Sequence, residues 1–366
     1  VVVDHGADDH ALAFEVTFAL AGARMAADGR EAAEDLYREA WERAIATDDP
    51  TTIARAAARH TIQFFFTGDV MAEHGRQVRR ALELLDDGAD PALRARLHAA
   101  LATAVVVEHP DGAIDHAATA VDLGRTCDDP VALGHALVAQ QVAELGPRTL
   151  TRRLATAREI IAIAEAAPDR DLLVHGRFLL MAALLERGDV GELDAQLSVQ
   201  DDVVDTIAAP RFARHALWFR ATRAMLDGDA ERVIELAESC YAMAEALGDP
   251  DGPAVFWGQI GVARWMQGRV EEMEPAYVEQ RRAEPDAVVW KAVLGWLSAR
   301  AGRLDAARGV LADLPAPKAL PQDQNTLLTL ATLAEAAVAL DDRELGTAVW
   351  EELLPYADHV VPIGMG

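Results

Sequence analysis

Apolar residues recur along the chain with the period of an α-helix. A clear example is the stretch 233–244, where they follow one another at intervals of one, three or four residues: Val233, Leu236, Ala237, Cys240, Tyr241 and Ala244. Residues at this spacing share one side of a helix and predict a buried apolar stripe. The alternation that is typical of strands is nearly absent, so we predict an all-α protein.

Breaking residues divide this helical pattern at regular distances. Eight prolines recur at intervals of 35 to 42 residues: Pro50, Pro91, Pro130, Pro168, Pro210, Pro250, Pro285 and Pro321. Turns rich in glycine or aspartate lie about halfway between them: Gly29, Gly68, Asp111-Gly112, Gly146, Gly188, Gly228, Gly268, Gly302 and Asp341-Asp342. A fixed period of this size is typical of repeat proteins, in which each unit buries its apolar face on the next. We therefore predict an α-solenoid of about nine antiparallel helical hairpins.

Aspartate precedes proline at four of these points, namely Asp49-Pro50, Asp90-Pro91, Asp129-Pro130 and Asp249-Pro250. An aspartate side chain accepts hydrogen bonds from the first backbone N–H groups of a helix, and proline is well tolerated in the first turn. Each pair therefore predicts the start of the first helix of a hairpin.

One interval resembles the tetratricopeptide repeat, whose consensus is W-x2-L-G-x2-Y…A-x3-F…P. The matching residues are Trp257, Ile260, Gly261, Tyr277 and Pro285. Arg264 and Met273 depart from the consensus tyrosine and alanine, and the other units match it only in part. The resemblance implies a tetratricopeptide-like superhelix in which the first helices line the concave surface.

The overall style of these repeats resembles the helical repeat region of large bacterial regulators. In those proteins the repeats follow a STAND-type ATPase module, and a LuxR-type DNA-binding domain or a nucleotide cyclase domain accompanies them. The segment Leu353–Asp358 resembles one found in such proteins. We therefore expect a fragment of a longer protein, divided into a frayed or disordered segment 1–12, the solenoid 13–356 and a truncated C-terminal segment 357–366.

Charge and cysteine content restrict the partners and the compartment. The net charge of −26 repels phosphate backbones, so we expect no direct nucleic-acid binding. Apolar stretches are too short to span a membrane. The two cysteines, Cys127 and Cys240, resemble neither a disulfide framework nor a metal site, which favours the bacterial cytoplasm.

Motifs that would carry chemistry are missing from the sequence. Neither lysine, Lys291 or Lys318, follows a glycine, so there is no phosphate-binding loop, and there is no G-x-S-x-G or H-E-x-x-H motif. We expect no catalytic residues, no cofactor and no metal. The scattered histidines are expected to be packing or surface residues.

Two features point to binding. Six of the seven tryptophans follow residue 217, most of them on predicted first helices, where aromatic side chains could anchor a peptide. Four residues share one helix face whose arginines could clamp a carboxylate: Arg211, Arg214, His215 and Trp218. With Trp257 and Trp265 they form the predicted binding set. The alternatives are hairpin packing for the tryptophans and a solvated face paired with acids for the arginines.

These features favour a non-enzymatic binding or regulatory module, the sensor or interaction region of a bacterial signalling or transcription regulator. Its partner would be a protein, a peptide, a small effector or another domain of the same polypeptide. Two alternatives remain: a stand-alone receptor for a signalling peptide or small effector, and an enzyme whose site is assembled from distant helices.

Overall fold

A computed structural model describes residues 6–28, 30–59, 69–86, 88–106, 109–167, 169–207, 210–249 and 251–364. All regular structure in these ranges is helical, which confirms the predicted fold class. The α-helices are α1 Gly6–Asp28, α2 Arg30–Ala46, α3 Pro50–Ala57, α4 Asp69–Leu84, α5 Pro91–Val105, α6 Pro110–Thr126, α7 Pro130–Ala143, α8 Leu150–Ala166, α9 Arg170–Arg187, α10 Val190–Ile207, α11 Pro210–Leu226, α12 Ala230–Ala246, α13 Gly252–Met266, α14 Glu274–Ala283, α15 Val288–Arg300, α16 Leu304–Leu311, α17 Thr326–Leu340 and α18 Arg343–Leu353.

These helices form nine consecutive hairpins across the described residues, as the interleaved breakers predict. In eight of the hairpins the odd-numbered first helix packs on the even-numbered second helix that follows it. In the seventh, α13 packs on the 3-10 turn Val270–Met273 that precedes α14, and Gly261 of α13 faces Tyr277 of α14. Successive first helices also contact each other, for example α5 with α7, α7 with α9 and α15 with α17. Their close spacing places the first helices on the inner side of the curved array and the second helices on the outer side.

Aspartate caps begin most of the first helices where the sequence predicts them. Asp49 and Asp129 each accept hydrogen bonds from two backbone N–H groups of the following turn, and Asp90 accepts one. Asp249 departs from this prediction: α13 begins at Gly252, and one carboxylate oxygen of Asp249 lies 2.7 Å from Nη2 of Arg214. The fourth aspartate is therefore recruited by a buried arginine of the preceding hairpin.

The turn inside each of the last five hairpins has one recurring geometry. Its central residue is in the left-handed region, with φ between 52° and 76°, and these residues are Gly188, Gly228, Gly268, Gly302 and Asp341. The next residue donates its N–H to the carbonyl five positions earlier, as Asp189 does to Leu184 at 3.0 Å. This C-cap satisfies carbonyls at the end of the first helix. The Asp111-Gly112 prediction was wrong, because both residues lie in the first turn of α6; Gly29 and Gly68 lie outside the described residues.

Small residues set the distance between helices in the C-terminal hairpins. A Cβ added to Gly261 of α13 would lie 2.2 Å from the hydroxyl oxygen of Tyr277 in α14, and one added to Gly295 of α15 would lie 2.4 Å from a methyl carbon of Leu311 in α16. Gly261 and Tyr277 are two of the residues that carry the tetratricopeptide resemblance. The structure thus shows the steric reason for that part of the consensus.

The predicted segment boundaries can be compared with the helices. Helix α1 begins at Gly6, so its start does not coincide with the predicted boundary at residue 13. The boundary at residue 357 follows a 3-10 turn, Leu354–Tyr356. None of the described helices combines the length and apolar character that crossing a membrane requires.

Two histidines of the N-terminal half lie in environments that disfavour their charged form. Burial, opposed in part by Asp169, lowers the pKa of His135 in α7 to about 4. Burial and the neighbouring His116 lower the pKa of His98 in α5 to about 4, and the Nδ1 atoms of these two rings lie 3.1 Å apart. Both imidazoles are therefore neutral at pH 7 in the folded protein.

Replacing Gly261 with alanine is expected to lower the free energy of unfolding by about 1–3 kcal/mol, because the added Cβ overlaps the hydroxyl oxygen of the half-buried Tyr277. The matched control is Gly309→Ala in α16, where no atom lies within 4 Å of the added Cβ. That change should be neutral or should stabilise by up to about 1 kcal/mol, through helix propensity. Urea unfolding followed by circular dichroism checks both; equal stabilities of the two variants would contradict the packing.

The free energy of unfolding is expected to fall as the pH drops from about 6.5 to about 4, because the unfolded chain binds a proton at His135 that the native state does not. The contribution of His135 to the free energy of unfolding is thus fully present above the pKa that this histidine has in the unfolded chain, and it is lost as the pH falls below that value. Urea unfolding at about pH 7 and about pH 5 should show a smaller loss for His135→Gln than for the wild type. The control His109→Gln, at an exposed position, should keep the wild-type loss; an equal loss in His135→Gln would refute the assignment.

Candidate functional site

The predicted arginine face on α11 lies in the core. Arg214, His215 and Trp218 are buried, and Arg214 pairs with Asp249 while its guanidinium carbon lies 5.6 Å from the centre of the Trp218 ring. The Trp218 ring in turn packs edge-on against Phe178 of α9. The face therefore meets the neighbouring hairpins, as the packing alternative expects for Trp218, and Arg214 pairs with a carboxylate of the chain itself. That the face binds a partner stays a prediction. The backbone of Arg211 belongs to α11, and its side chain lies outside the described residues.

Two other predicted residues are accessible. Trp257 and Trp265 lie on α13, a first helix, and are 39% and 49% exposed. Between them, Gly258 faces residue Ile363 near the C-terminus, whose Cγ2 lies 3.5 Å from the position of an added Cβ. Ile363 therefore touches the same helix that carries the two exposed tryptophans.

Helix α9 is the most enclosed element of the inner surface. It is buried continuously from Val174 to Glu186, so apolar residues face neighbours on every side. The buried run ends in a charged residue, Glu186, and α9 itself ends with the left-handed cap at Gly188.

The superhelix closes on itself next to the end of α9. The turn between α7 and α8 meets the segment before α17, where a Cβ on Gly146 would lie 3.1 Å from the carbonyl oxygen of Gln322. Hairpins four and nine, far apart in sequence, are thus in van der Waals contact. Side chains at both ends of this contact line a small, partly open crevice with a free volume of about 20 Å³, which we call the inner crevice. It is lined by Leu145, Gly146, Pro147, Arg153, Ala182, Glu186, Asp323, Gln324, Leu327, Pro362 and Gly364.

A buried ion pair forms one wall of the inner crevice. Nη2 of Arg153 in α8 contacts Oε2 of Glu186 and also donates to the carbonyl oxygen of Gly146 at 3.2 Å; both charged side chains are only 6% exposed. The pair joins the fourth hairpin to the fifth. A buried charge that loses its partner is costly, so these two side chains hold each other in place.

Residues 357–364, which we call the return segment, lie on this surface. The segment leaves the last hairpin and reaches α9, where the N–H of Val360 donates to the carbonyl oxygen of Glu186 at 2.8 Å. Nδ1 of His359 lies 3.4 Å from Oε1 of Glu186. Pro362 and Gly364 line the inner crevice, and Ile363 reaches Gly258 of α13. One short stretch of irregular backbone thus bridges the fifth, seventh and ninth hairpins.

Several polar atoms around the inner crevice have incomplete partners among the described residues. Oε1 of Glu186, Nε of Arg153 and Oε1 of Gln324 are buried without a hydrogen-bond partner there. Asp323 has structural partners, since it accepts from the N–H of Asn325 at 2.8 Å. Oε1 of Glu186 and Oε1 of Gln324 are acceptors, and Nε of Arg153 is a donor, that a polar occupant could use. Within the described part of the chain, no group of three or more His, Cys, Asp and Glu side chains is arranged to hold a metal ion.

The sequence contained weak signals for this region that the predicted binding set does not include. Glu186 follows the long apolar stretch of α9 directly, and a charge at that position must find a buried partner or reach water. The apolar residues Val360, Val361 and Ile363 follow the last helix, where a solvated loop would be polar. Neither signal indicates that the two regions meet, because that depends on the curvature of nine hairpins.

Comparison with known proteins agrees with the architecture. No protein-family model matches the chain, and no curated protein matches its sequence. Among solved structures, a Rap protein complexed with competence and sporulation factor matches with a TM-score of 0.62 and 11% sequence identity, covering 96% of this chain and 98% of that chain. At this identity the likeness establishes the fold, a tetratricopeptide-like helical repeat.

Arg153→Met is expected to lower the free energy of unfolding by about 3–5 kcal/mol, because Glu186 then stays buried without its main partner. The double change Arg153→Met with Glu186→Met should recover a large part of that loss, since no uncompensated charge remains. The control is Arg158→Met at the more exposed pair with Glu192, which should cost about 1 kcal/mol or less. Urea unfolding of all variants tests the cycle; additive losses at Arg153 and Glu186 would contradict the coupling.

Proposed function

We propose that this protein is a peptide- or protein-binding regulatory module that holds its partner on the inner surface of the superhelix. The observation that carries the proposal is the return segment: the inner surface accommodates irregular backbone through a main-chain hydrogen bond, a polar contact at Glu186 and apolar contacts at glycines. A surface that holds one short segment in this way suits another of the same chemistry.

The exposed tryptophans support the same surface. Trp257 and Trp265 present large, rigid, amphipathic rings on a first helix, and such residues often supply much of the binding energy at interfaces. The helix that carries them, α13, is also the helix that Ile363 contacts at Gly258. A partner seated along the inner surface would reach both the rings and the inner crevice.

The regulatory context is part of this proposal. The resemblance to the repeat regions of STAND-type and LuxR-type regulators favours a sensor region in a bacterial cytoplasmic protein, and Cys127 and Cys240 remain thiols, in keeping with a reducing compartment. A second candidate is a self-contained receptor for a signalling factor. It is favoured by the fold shared with a Rap protein that is complexed with competence and sporulation factor.

We prefer a binding function to a catalytic one because the two carboxylates of the inner crevice already have partners within the protein. Glu186 is held by Arg153, and Asp323 accepts a backbone hydrogen bond. A general acid or base needs a proton-carrying group that is free to reach a substrate. The same groups serve well for recognition, which needs fixed donors and acceptors.

Selection of displayed random short peptides against the full chain tests the proposal. Enriched sequences, measured by fluorescence anisotropy, should bind Trp257→Ala with Trp265→Ala at least about tenfold more weakly than the wild type, as expected for truncated aromatic anchors.

The matched control is Trp350→Ala, because Trp350 is 63% exposed but lies on a second helix, α18, on the outer side. Its loss should leave the affinity unchanged. Failure to enrich any sequence, or an equal loss of affinity in Trp350→Ala, would overturn the proposal.

A further inference from the structure

The inference concerns the inner crevice and rests on the proposed function. We propose that the inner crevice recognises a short peptide that carries a cationic side chain followed by a β-branched residue, and that the return segment is a built-in competitor for the same contacts.

The end of α9 needs a donor from outside the helix. Carbonyl groups in the last turn of an α-helix have no partner within the helix. The N–H groups of Gly188 and Asp189 are used by Leu184 and Leu185, which leaves the carbonyl of Glu186 for another donor. Val360 supplies that donor at 2.8 Å. Any chain segment with an N–H at this position could do the same.

The Glu186 side chain is only partly satisfied by the return segment. Its Oε2 contacts Arg153, whereas Oε1 is buried and has His359 as a neighbour at 3.4 Å, beyond the usual hydrogen-bond range of about 2.7–3.2 Å. A buried carboxylate oxygen without a good donor is unfavourable. A guanidinium or ammonium group would satisfy it better than His359 does, which points to arginine or lysine in the ligand.

The return segment places a β-branched side chain against each of two glycines, one that caps α9 and one within α13. Cγ2 of Val360 lies 3.3 Å from the position that a Cβ would occupy on Gly188, and Cγ2 of Ile363 lies 3.5 Å from the corresponding position on Gly258. These contacts place a β-branched residue directly after the donor side chain and a second one three positions later. The return segment thus indicates the pattern of a ligand: a side-chain hydrogen-bond donor, a β-branched residue directly after it, and a second β-branched residue three positions further on.

The return segment is joined covalently to the last hairpin, so it acts as a tethered occupant of these contacts. A tethered segment competes at an effective concentration on the order of millimolar, so a free peptide must make better contacts to displace it. The poorly satisfied Oε1 of Glu186 is the contact at which a cationic peptide gains over the return segment.

The test uses the full chain and three synthetic octapeptides: the sequence of residues 357–364, its His359→Arg form and its His359→Ala form. Fluorescence anisotropy should rank the arginine peptide tightest, at least about tenfold above the alanine peptide, because of a charge-assisted hydrogen bond to Glu186. With Glu186→Gln in the chain, this advantage should disappear.

Competition is measured with variants of the return segment in the full chain. His359→Ala with Val360→Ala removes the two contacts at Glu186 and Gly188 and should raise the affinity for the arginine peptide by about tenfold, through loss of the tethered competitor. The matched control, Asp358→Ala with Val361→Ala, changes two exposed neighbours and should leave it unchanged.

Hydrogen exchange provides a readout independent of affinity. The Val360 amide should be protected in the free chain and should exchange faster when the arginine peptide is added. Absence of binding to every variant with native helicity would overturn the inference, as would binding that does not depend on residue 186 or on the return segment. Selected peptides that still require Trp257 and Trp265 would in that case leave the proposed function standing.

Discussion

Each hairpin of this protein carries apolar residues on more than one side and can bury them only against its neighbours. Neighbouring helices can pack closely enough to bury these residues only where small residues lie at the contact, such as Gly261 beside Tyr277 and Gly295 beside Leu311. One additional carbon at these points would push the helices apart. Because each hairpin is oriented by the one before it, a change in one contact alters the position of all hairpins that follow.

The inner crevice is a consequence of that accumulated curvature. Only a closely packed array brings the segment at Gln322 against Gly146 and lets Val360 reach the end of α9. The buried pair of Arg153 and Glu186 then stabilises the junction between the fourth and fifth hairpins, at the place where the ninth returns. Packing between neighbouring hairpins therefore determines whether distant hairpins come into contact. The polar groups that could recognise a partner lie at this contact between distant hairpins.

Sequence periodicity predicted the fold because the relevant interactions are local. Aspartate caps, left-handed turns and apolar stripes act within about one helix length, so Asp49, Asp129 and Gly188 mark the helix ends where they are expected. The same periodicity left the environment of Arg214 and Trp218 open. It shows which residues share a face, but whether that face meets water or another hairpin depends on tertiary packing.

The inner crevice could not be predicted for a related reason. Glu186 and His359 are distant in sequence, and no local pattern reports that the array curves enough to bring them within 3.4 Å. Asp249 illustrates the same limit on a smaller scale, since the Asp-Pro signal reports neither its pairing with Arg214 nor the start of α13 at Gly252. Local sequence signals thus define the hairpins, whereas the inner crevice depends on how successive hairpins are oriented relative to one another.

The most direct test of this account measures the closure of the superhelix. Spin labels at Arg148→Cys and Gln322→Cys, both exposed positions, in a chain with Cys127→Ala and Cys240→Ala, report the distance between the fourth and ninth hairpins by pulsed electron paramagnetic resonance. A closed superhelix gives a short and narrow distance distribution, because the backbones at Gly146 and Gln322 are in contact. A long and broad distribution would contradict it, since an open superhelix has no inner crevice.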